Sequence, residues 1–145
     1  MDNIAIRPAA IEDALRIHEI NKSSLGYDFP PDKTRDRIHL VLPRSNHRIY
    51  VACLDGRVVG YIHGSEYECT YCDSLKDILA LAVDPDYQGR GIGRMLLCAL
   101  EDWARLEGCT GIRLVSGFNR QEAHRFYLHC GYTDRRDLKN FIKFL

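Results

Sequence analysis

The feature that most constrains this chain is Gln88-Gly-Arg-Gly-Ile-Gly-Arg94. It lies between an apolar run, Ile78-Leu-Ala-Leu-Ala-Val83, and a long amphipathic run from Ile92 to Leu106. That order predicts strand, glycine-rich turn, helix. Glycines at 89, 91 and 93 free the backbone to turn tightly and to approach a ligand closely. The first N–H groups of the helix then face outward, where the macrodipole favours negative charge. Arg90 and Arg94 add mobile positive charge beside them. The arrangement suits a phosphate; the plainer alternative is a glycine-rich turn that holds no ligand. Two familiar phosphate motifs are excluded by spacing. No Gly-x-x-x-x-Gly-Lys-Ser/Thr run exists, and a Gly-x-Gly-x-x-Gly count meets Arg94 or Leu96 in its last place.

At 145 residues the chain is expected to form one domain, 1–145, with a real core. Its 20 basic and 20 acidic residues balance, which argues against a broad electrostatic grip on nucleic acid. No stretch is long and apolar enough to span a bilayer, and Met1-Asp-Asn-Ile-Ala-Ile-Arg-Pro8 lacks a secretory pattern. A cytoplasmic protein with neither nucleic-acid nor membrane partners is the expectation. Of six cysteines, only Cys69-Thr-Tyr-Cys72 forms a C-x-x-C pair. A zinc site would want a second pair or suitable histidines, and His63 alone does not supply them, so no metal is expected. A redox pair would lack a thioredoxin-like context. Cys53, Cys98 and Cys130 sit among apolar residues and read as core thiols.

In chain order, Ile4–Ile6 predicts a short strand. Ile11, Ala14, Leu15 and His18 then share one helical face. Residues 23–32 read as a loop, and Pro31 can open a second helix carrying Thr34, Ile38, Val41 and Leu42 and ending at Pro43. Ile49–Leu54, Asp55-Gly56 and Arg57–Ile62 form a hairpin with a strong turn signal. The second strand extends toward Glu66 or Glu68, residues 69–74 turn, and Lys76–Val83 returns, giving an antiparallel meander. Ile92, Leu96, Ala99, Leu100 and Trp103 line the next helix, which Gly108 stops. Ile112–Ser116 follows as a strand, parallel to the one before the glycine turn. A last helix is expected to begin at Asn119, with Glu122 completing a capping box, and to stop at Gly131. Two terminal strands, Tyr132–Arg135 and Asn140–Phe144, are expected after it.

Two segments carry a family resemblance. Val83-x-Pro85-x-Tyr87-Gln88-Gly-Arg-Gly91-Ile-Gly93 resembles the Gln/Arg-x-x-Gly-x-Gly/Ala signature of the GNAT acetyltransferase superfamily. Asn119-x-x-x-Ala123-x-x-Phe126-Tyr127-x-x-x-Gly131-Tyr132 is similar to a second GNAT pattern, with Asn119 one residue further from Ala123 than in many members. The resemblance implies an α/β fold, a mixed central sheet of about six or seven strands flanked by about four helices.

It also implies a function: transfer of an acetyl group from acetyl-coenzyme A to a primary amine of a small molecule or protein, by direct attack in a ternary complex. In such a protein the turn would hold the cofactor's pyrophosphate through Gln88, Gly89, Arg90, Gly91, Ile92, Gly93 and Arg94. Leu81, Ala82 and Val83 would meet the thioester and pantetheine arm. Asn119, Ala123, Phe126 and Tyr127 would complete the cofactor site. Tyr127 is the implied acid for the leaving thiolate, since a phenol with a reference pKa of about 10 is protonated at neutral pH. Asp77, six residues before Val83, falls where some members carry the general base; a strand-starting surface carboxylate is the alternative, and His63, Glu66 and Glu68 compete for the role. Tyr27, Asp28, Phe29 and Glu66 fall in segments that would border the acceptor, although the loop equally reads as plain surface. A non-catalytic acyl-coenzyme A sensor is the second reading, and a homodimer through the terminal strands is left open.

Overall fold

The computed structural model describes residues 3–145. Residues up to Arg113 make one compact unit and Leu114–Leu145 a second. Five strands form one sheet in the order of the sequence: β1 (Ile4–Pro8), β2 (His47–Leu54), β3 (Arg57–Cys69), β4 (Cys72–Val83) and β5 (Gly111–Leu114). Four α-helices accompany them: α1 (Ala14–Ile20), α2 (Pro31–Val41), α3 (Ile92–Leu106) and α4 (Gln121–His129).

The first four strands are antiparallel; the short β2–β3 and β3–β4 connections require it, while β1 pairs with β2 across the helical segment 9–46. Asp55 and Gly56 turn β2 into β3 with φ of 50° and 84°, the left-handed pair that a two-residue hairpin turn demands. β5 runs parallel to β4. Thr110 N donates to Ser74 O at 3.0 Å and Arg113 reaches Asp77 at 3.0 Å, so the partners advance together along both strands. The sheet is therefore mixed, as expected. One bulge matters for position: His63 opposes Ala80 but Gly64 opposes Ile78, which leaves Leu79 as the extra residue in the middle of β4.

The sheet alternates its side chains between two layers. Ala14, Ile17, Ile20 and Ile38 pack with Ile49, Val51, Cys53, Val58, Tyr61 and Ala82 in one cluster. On the other face, Cβ atoms at Gly60 and Gly64 would run into Leu96 and Leu100 of α3, so glycine there sets how closely the helix lies. α3 buries Ile92, Leu96, Leu97, Leu100, Trp103 and Ala104 at helical spacing.

Several expectations need correction. Among the described residues the sheet has five strands, and none follows α4, so Tyr132–Arg135 and Asn140–Phe144 are not strands. A strand needs a ladder partner for its backbone groups, and neither segment has one. The hairpin between β3 and β4 turns at Thr70 and Tyr71 rather than across 69–74, because the ladder runs out to Cys69 opposite Cys72. Leu15 is 62% exposed, since a 3-10 turn at Ile11–Asp13 rephases the helix and turns Asp13, Ala14, Ile17 and Ile20 inward. Ser23–Leu25 belong to a π-type turn, Asn21–Leu25, capped by left-handed Gly26. Cys98 is exposed, because Leu97 and Leu100 take the inward positions around it. The cap of α4 is Arg120, not Asn119: Arg120 N bonds Gly117 O at 3.0 Å in a preceding turn, which moves the start one residue on. No helix among the described residues is long and apolar enough to cross a membrane.

Candidate active site

β4 ends at Val83 and the chain enters a braced turn. Asp84 N donates to Val59 O at 2.8 Å, tying the turn to β3. Asp84's carboxylate accepts from Asp86 N at 3.0 Å and from Arg16 at 2.8 Å. Arg16 in turn donates through Nε to Val58 O at 2.9 Å. Burial opposes the Asp84 charge, but these donors hold its carboxyl below the usual range. The consequence is mechanical: α1 clamps the exit of β4 through one guanidinium. Sequence inspection missed Arg16, because a lone arginine on a helix gives no signal of a partner 68 residues away.

After Pro85–Tyr87, the Gln88 side chain donates back to Val83 O at 3.3 Å. Gly89 and Gly91 stand at φ of 78° and 79°, and a Cβ on either would meet nothing within 4 Å. Glycine is required there by backbone conformation, and the space over both residues is open. Gly93 has no such φ and lies inside α3. Gly91 caps the helix, with Met95 N bonding its carbonyl at 3.1 Å. The N–H groups of Ile92, Gly93 and Arg94 therefore form the first turn, where no helical carbonyl precedes them. Ile92 is buried and anchors that turn, while Arg90 and Arg94 are exposed. Arg90 lies over the Tyr87 ring at 5.2 Å. Open space, outward amides and two cationic side chains at one helix start fit a phosphate group.

The face that carries α1 holds a row of polar groups. Tyr61 donates its hydroxyl to Asn21 Oδ1, and burial pushes the phenol up to about 12. Further along, His47 Nδ1 and His63 Nε2 are 2.9 Å apart, sharing one proton between two rings. Burial, then the neighbouring His47, lowers His63 to about 4. Burial and Arg44 also lower His47, against Glu66. Asp77, opposite Ser65, pairs with Arg113 at 3.0 Å, and the guanidinium covers the Tyr67 ring at 4.3 Å. Burial raises the Asp77 carboxyl despite Arg113. Asp77 is thus neither a loose surface carboxylate nor a free one. Leu81, Ala82 and Val83 follow it on β4 beyond the Leu79 bulge, facing Ile62, Tyr61 and Gly60 in register.

The acceptor candidates divide. Tyr27 and Phe29 are 65% and 45% exposed in the short loop before α2, and Asp28 lies 3.7 Å from Lys22. Glu66 is exposed and stands opposite Lys76, on the alternate face from Ser65 and Asp77. Glu68 accepts from the Ser74 hydroxyl at 3.0 Å.

Within Leu114–Leu145, Ala123, Phe126 and Tyr127 share the half-buried face of α4. The Tyr127 ring meets Phe126 edge-on at 5.3 Å and Tyr132 at 5.7 Å. Burial raises its phenol against the pull of Arg120, so it stays protonated well above neutrality. Asn119 lies in the turn before the helix, outside the cap.

Comparison with known proteins agrees with this architecture. Residues 14–132 match the model of the Acetyltransferase (GNAT) family. The aminoalkylphosphonate N-acetyltransferase of Salmonella typhimurium is 30% identical over 128 residues, covering 88% of this chain and 83% of that protein. The uncharacterized N-acetyltransferase MJ1530 of Methanocaldococcus jannaschii is 39% identical over 95 residues, 65% of this chain and 58% of that protein's length. Among solved structures, the aminoglycoside N-acetyltransferase AAC(6')-Iy in complex with CoA superposes with a TM-score of 0.87 at 16% identity, covering 99% of this chain and 96% of that one. The α/β sheet, the braced glycine turn and these matches make the chain a member of the acetyltransferase (GNAT) family. The enzyme class expected from its sequence, an acyltransferase, is the class in which its named relatives fall.

Proposed function

We propose that this protein transfers an acetyl group from acetyl-coenzyme A to a primary amine of a small molecule or protein, by direct attack in a ternary complex. The observation that carries the reading is the turn at 88–94, with left-handed Gly89 and Gly91 unobstructed at the N-terminus of α3. Such a turn fits a pyrophosphate, and the chain belongs to a family of acetyltransferases. Acetyl-coenzyme A when bound supplies an activated acyl carbon on a thiol leaving group.

Each remaining requirement falls to a residue of the chain. The amides of Ile92, Gly93 and Arg94 bind the phosphates, and Gln88, Arg90 and Arg94 add donors. The backbone of Leu81–Val83 donates to the thioester oxygen, with Ala123 and Phe126 packing the cofactor and Asn119 contributing a polar contact. Tyr127 gives its phenolic proton to the departing sulfur, for which a raised pKa suits it. Asp77 takes the proton from the amine through water, since Arg113 already occupies one carboxylate oxygen. Tyr27, Asp28 and Phe29 border the acceptor. Relatives that act on aminoglycosides and aminoalkylphosphonates support a polar amine as substrate.

Release of free thiol from acetyl-coenzyme A against a panel of amines, with calorimetric cofactor binding beside it, tests the reading. Turnover with one amine class is the expected result. Binding without turnover on a broad panel would favour a sensor, and absence of binding would overturn the assignment of 88–94. Gly91→Val should weaken cofactor binding at least about tenfold, because a β-branched residue resists φ of 79°. Tyr127→Phe should lower kcat about 10²-fold with cofactor affinity nearly unchanged; an unaltered kcat would remove it as the acid.

A further inference from the structure

The tip of the β3–β4 hairpin carries chemistry that acetyl transfer does not use. Cys69 is the last residue of β3 and Cys72 the first of β4, and they stand opposite each other across Thr70-Tyr71. Their sulfurs are 3.0 Å apart. A disulfide needs about 2.05 Å, so a closure of roughly 1 Å completes the bond. Opposed antiparallel residues hold their Cα atoms about 4.5–5.5 Å apart, inside the window of about 4.4–6.8 Å that a disulfide spans. The sulfurs can therefore bond without moving the strands.

We propose that Cys69 and Cys72 form a reversible dithiol–disulfide site, oxidised by an uncharged hydroperoxide. The two thiols are not equivalent. The sulfurs share one S–H bond that either can donate; with the backbone N–H groups of Tyr71 and Cys72 on the Cys69 side, it favours the thiolate at Cys69, whose pKa is lowered, and the thiol at Cys72, whose pKa is raised. Cys69 is the attacking sulfur and Cys72 the resolving one. Both are reachable, Cys72 being exposed and Cys69 partly so. Glu68 and Asp73 flank the pair, and their charges disfavour an anionic oxidant.

The chemistry balances in two steps. Cys69 thiolate attacks one peroxide oxygen; an S–O bond forms, the O–O bond breaks, and the leaving oxygen takes a proton to depart as water or an alcohol. Cys72 sulfur then attacks the sulfenic sulfur of Cys69; the S–S bond forms, the S–O bond breaks, and the hydroxide leaves with the Cys72 proton as water. Two electrons pass from the thiol pair to the peroxide. The hairpin end becomes cross-linked, and a dithiol restores it.

The experiment treats the full chain with hydrogen peroxide and follows intact mass and peptide maps. The expected product has lost two hydrogens, maps to a Cys69–Cys72 link, forms about tenfold faster than any change at exposed Cys98, and reverts with dithiothreitol. In Cys72→Ser, dimedone should trap a sulfenic acid on Cys69. Oxidation of Cys98 at an equal rate, or links between chains without the 69–72 product, would overturn the proposal. Neither result depends on acetyl transfer, so failure here leaves the enzymatic reading untouched.

Discussion

The two faces of one sheet were built to different rules. The face toward α3 is apolar and close-packed: Gly60 and Gly64 admit Leu96 and Leu100, and Lys76, 2% exposed, stretches beneath the Trp103 ring at 4.0 Å to reach Glu107. The face toward α1 keeps an apolar patch and then yields to Tyr61–Asn21, His47–His63 and Asp77–Arg113. The first face holds the helix that carries the glycine turn. The second holds groups whose protonation responds to their surroundings. The difference is one of packing against titration: tight contacts on one face, partnered ionisable groups on the other, and substitutions on the two faces test it.

The largest effect is expected on the α3 face. A Cβ at Gly64 would lie 2.5 Å from Leu100 Cδ1 and 2.9 Å from Cδ2 of a fully buried side chain. Gly64→Val should therefore cost about 3 kcal/mol or more in denaturant unfolding; an unchanged midpoint would show that α3 can move away freely. Next comes acid stability. An unfolded histidine titrates near 6.5 and His63 in the fold near 4. Between those values the unfolded chain binds more protons, so stability is full above pH 6.5 and falls as pH drops toward 4. Roughly 2–3 kcal/mol should be lost over that window from this group, and His63→Gln should flatten the slope measured by melts across pH.

Lys76→Met should be milder, about 1–2 kcal/mol, because methionine keeps the buried stem while Glu107, partly exposed, recovers water. The smallest stability change belongs to Asp77→Asn, about 1 kcal/mol, because asparagine keeps the shape and an acceptor oxygen for the half-buried Arg113. Its effect should appear in the rate instead. As the proposed base, Asp77 has to be unprotonated to accept a proton, and burial raises its carboxyl above the ordinary range. The acid limb of kcat/KM should therefore lie higher than for a free aspartate and vanish in Asp77→Asn. A large stability loss there with an unchanged pH–rate profile would collapse the distinction between the faces.

Much of this architecture was legible in the chain. Ile92–Leu106 emerged with its bounds intact because its apolar period is regular and glycines stand at both ends. Asp55-Gly56 announced a hairpin because few residue pairs tolerate two positive φ values. α4 was misread by one residue at its start, since a local turn at Gly117–Arg120 outcompeted the cap that Asn119 and Glu122 advertised. The terminal strands, Tyr132–Arg135 and Asn140–Phe144, did not form, because a strand needs a ladder partner that a local segment does not encode.

By itself the sequence determined the turn at 88–94, since left-handed backbone and helix initiation are local properties written in glycine positions. It determined the element order through α4, where turn and helix signals are local. Only the tertiary structure decided that Arg16 braces Asp84, that His47 meets His63, that Arg113 occupies Asp77 and that Lys76 is buried under Trp103. Those pairings join residues far apart in the chain. Burial and partnered charge are properties of a residue's surroundings, and no single position in the sequence encodes its surroundings.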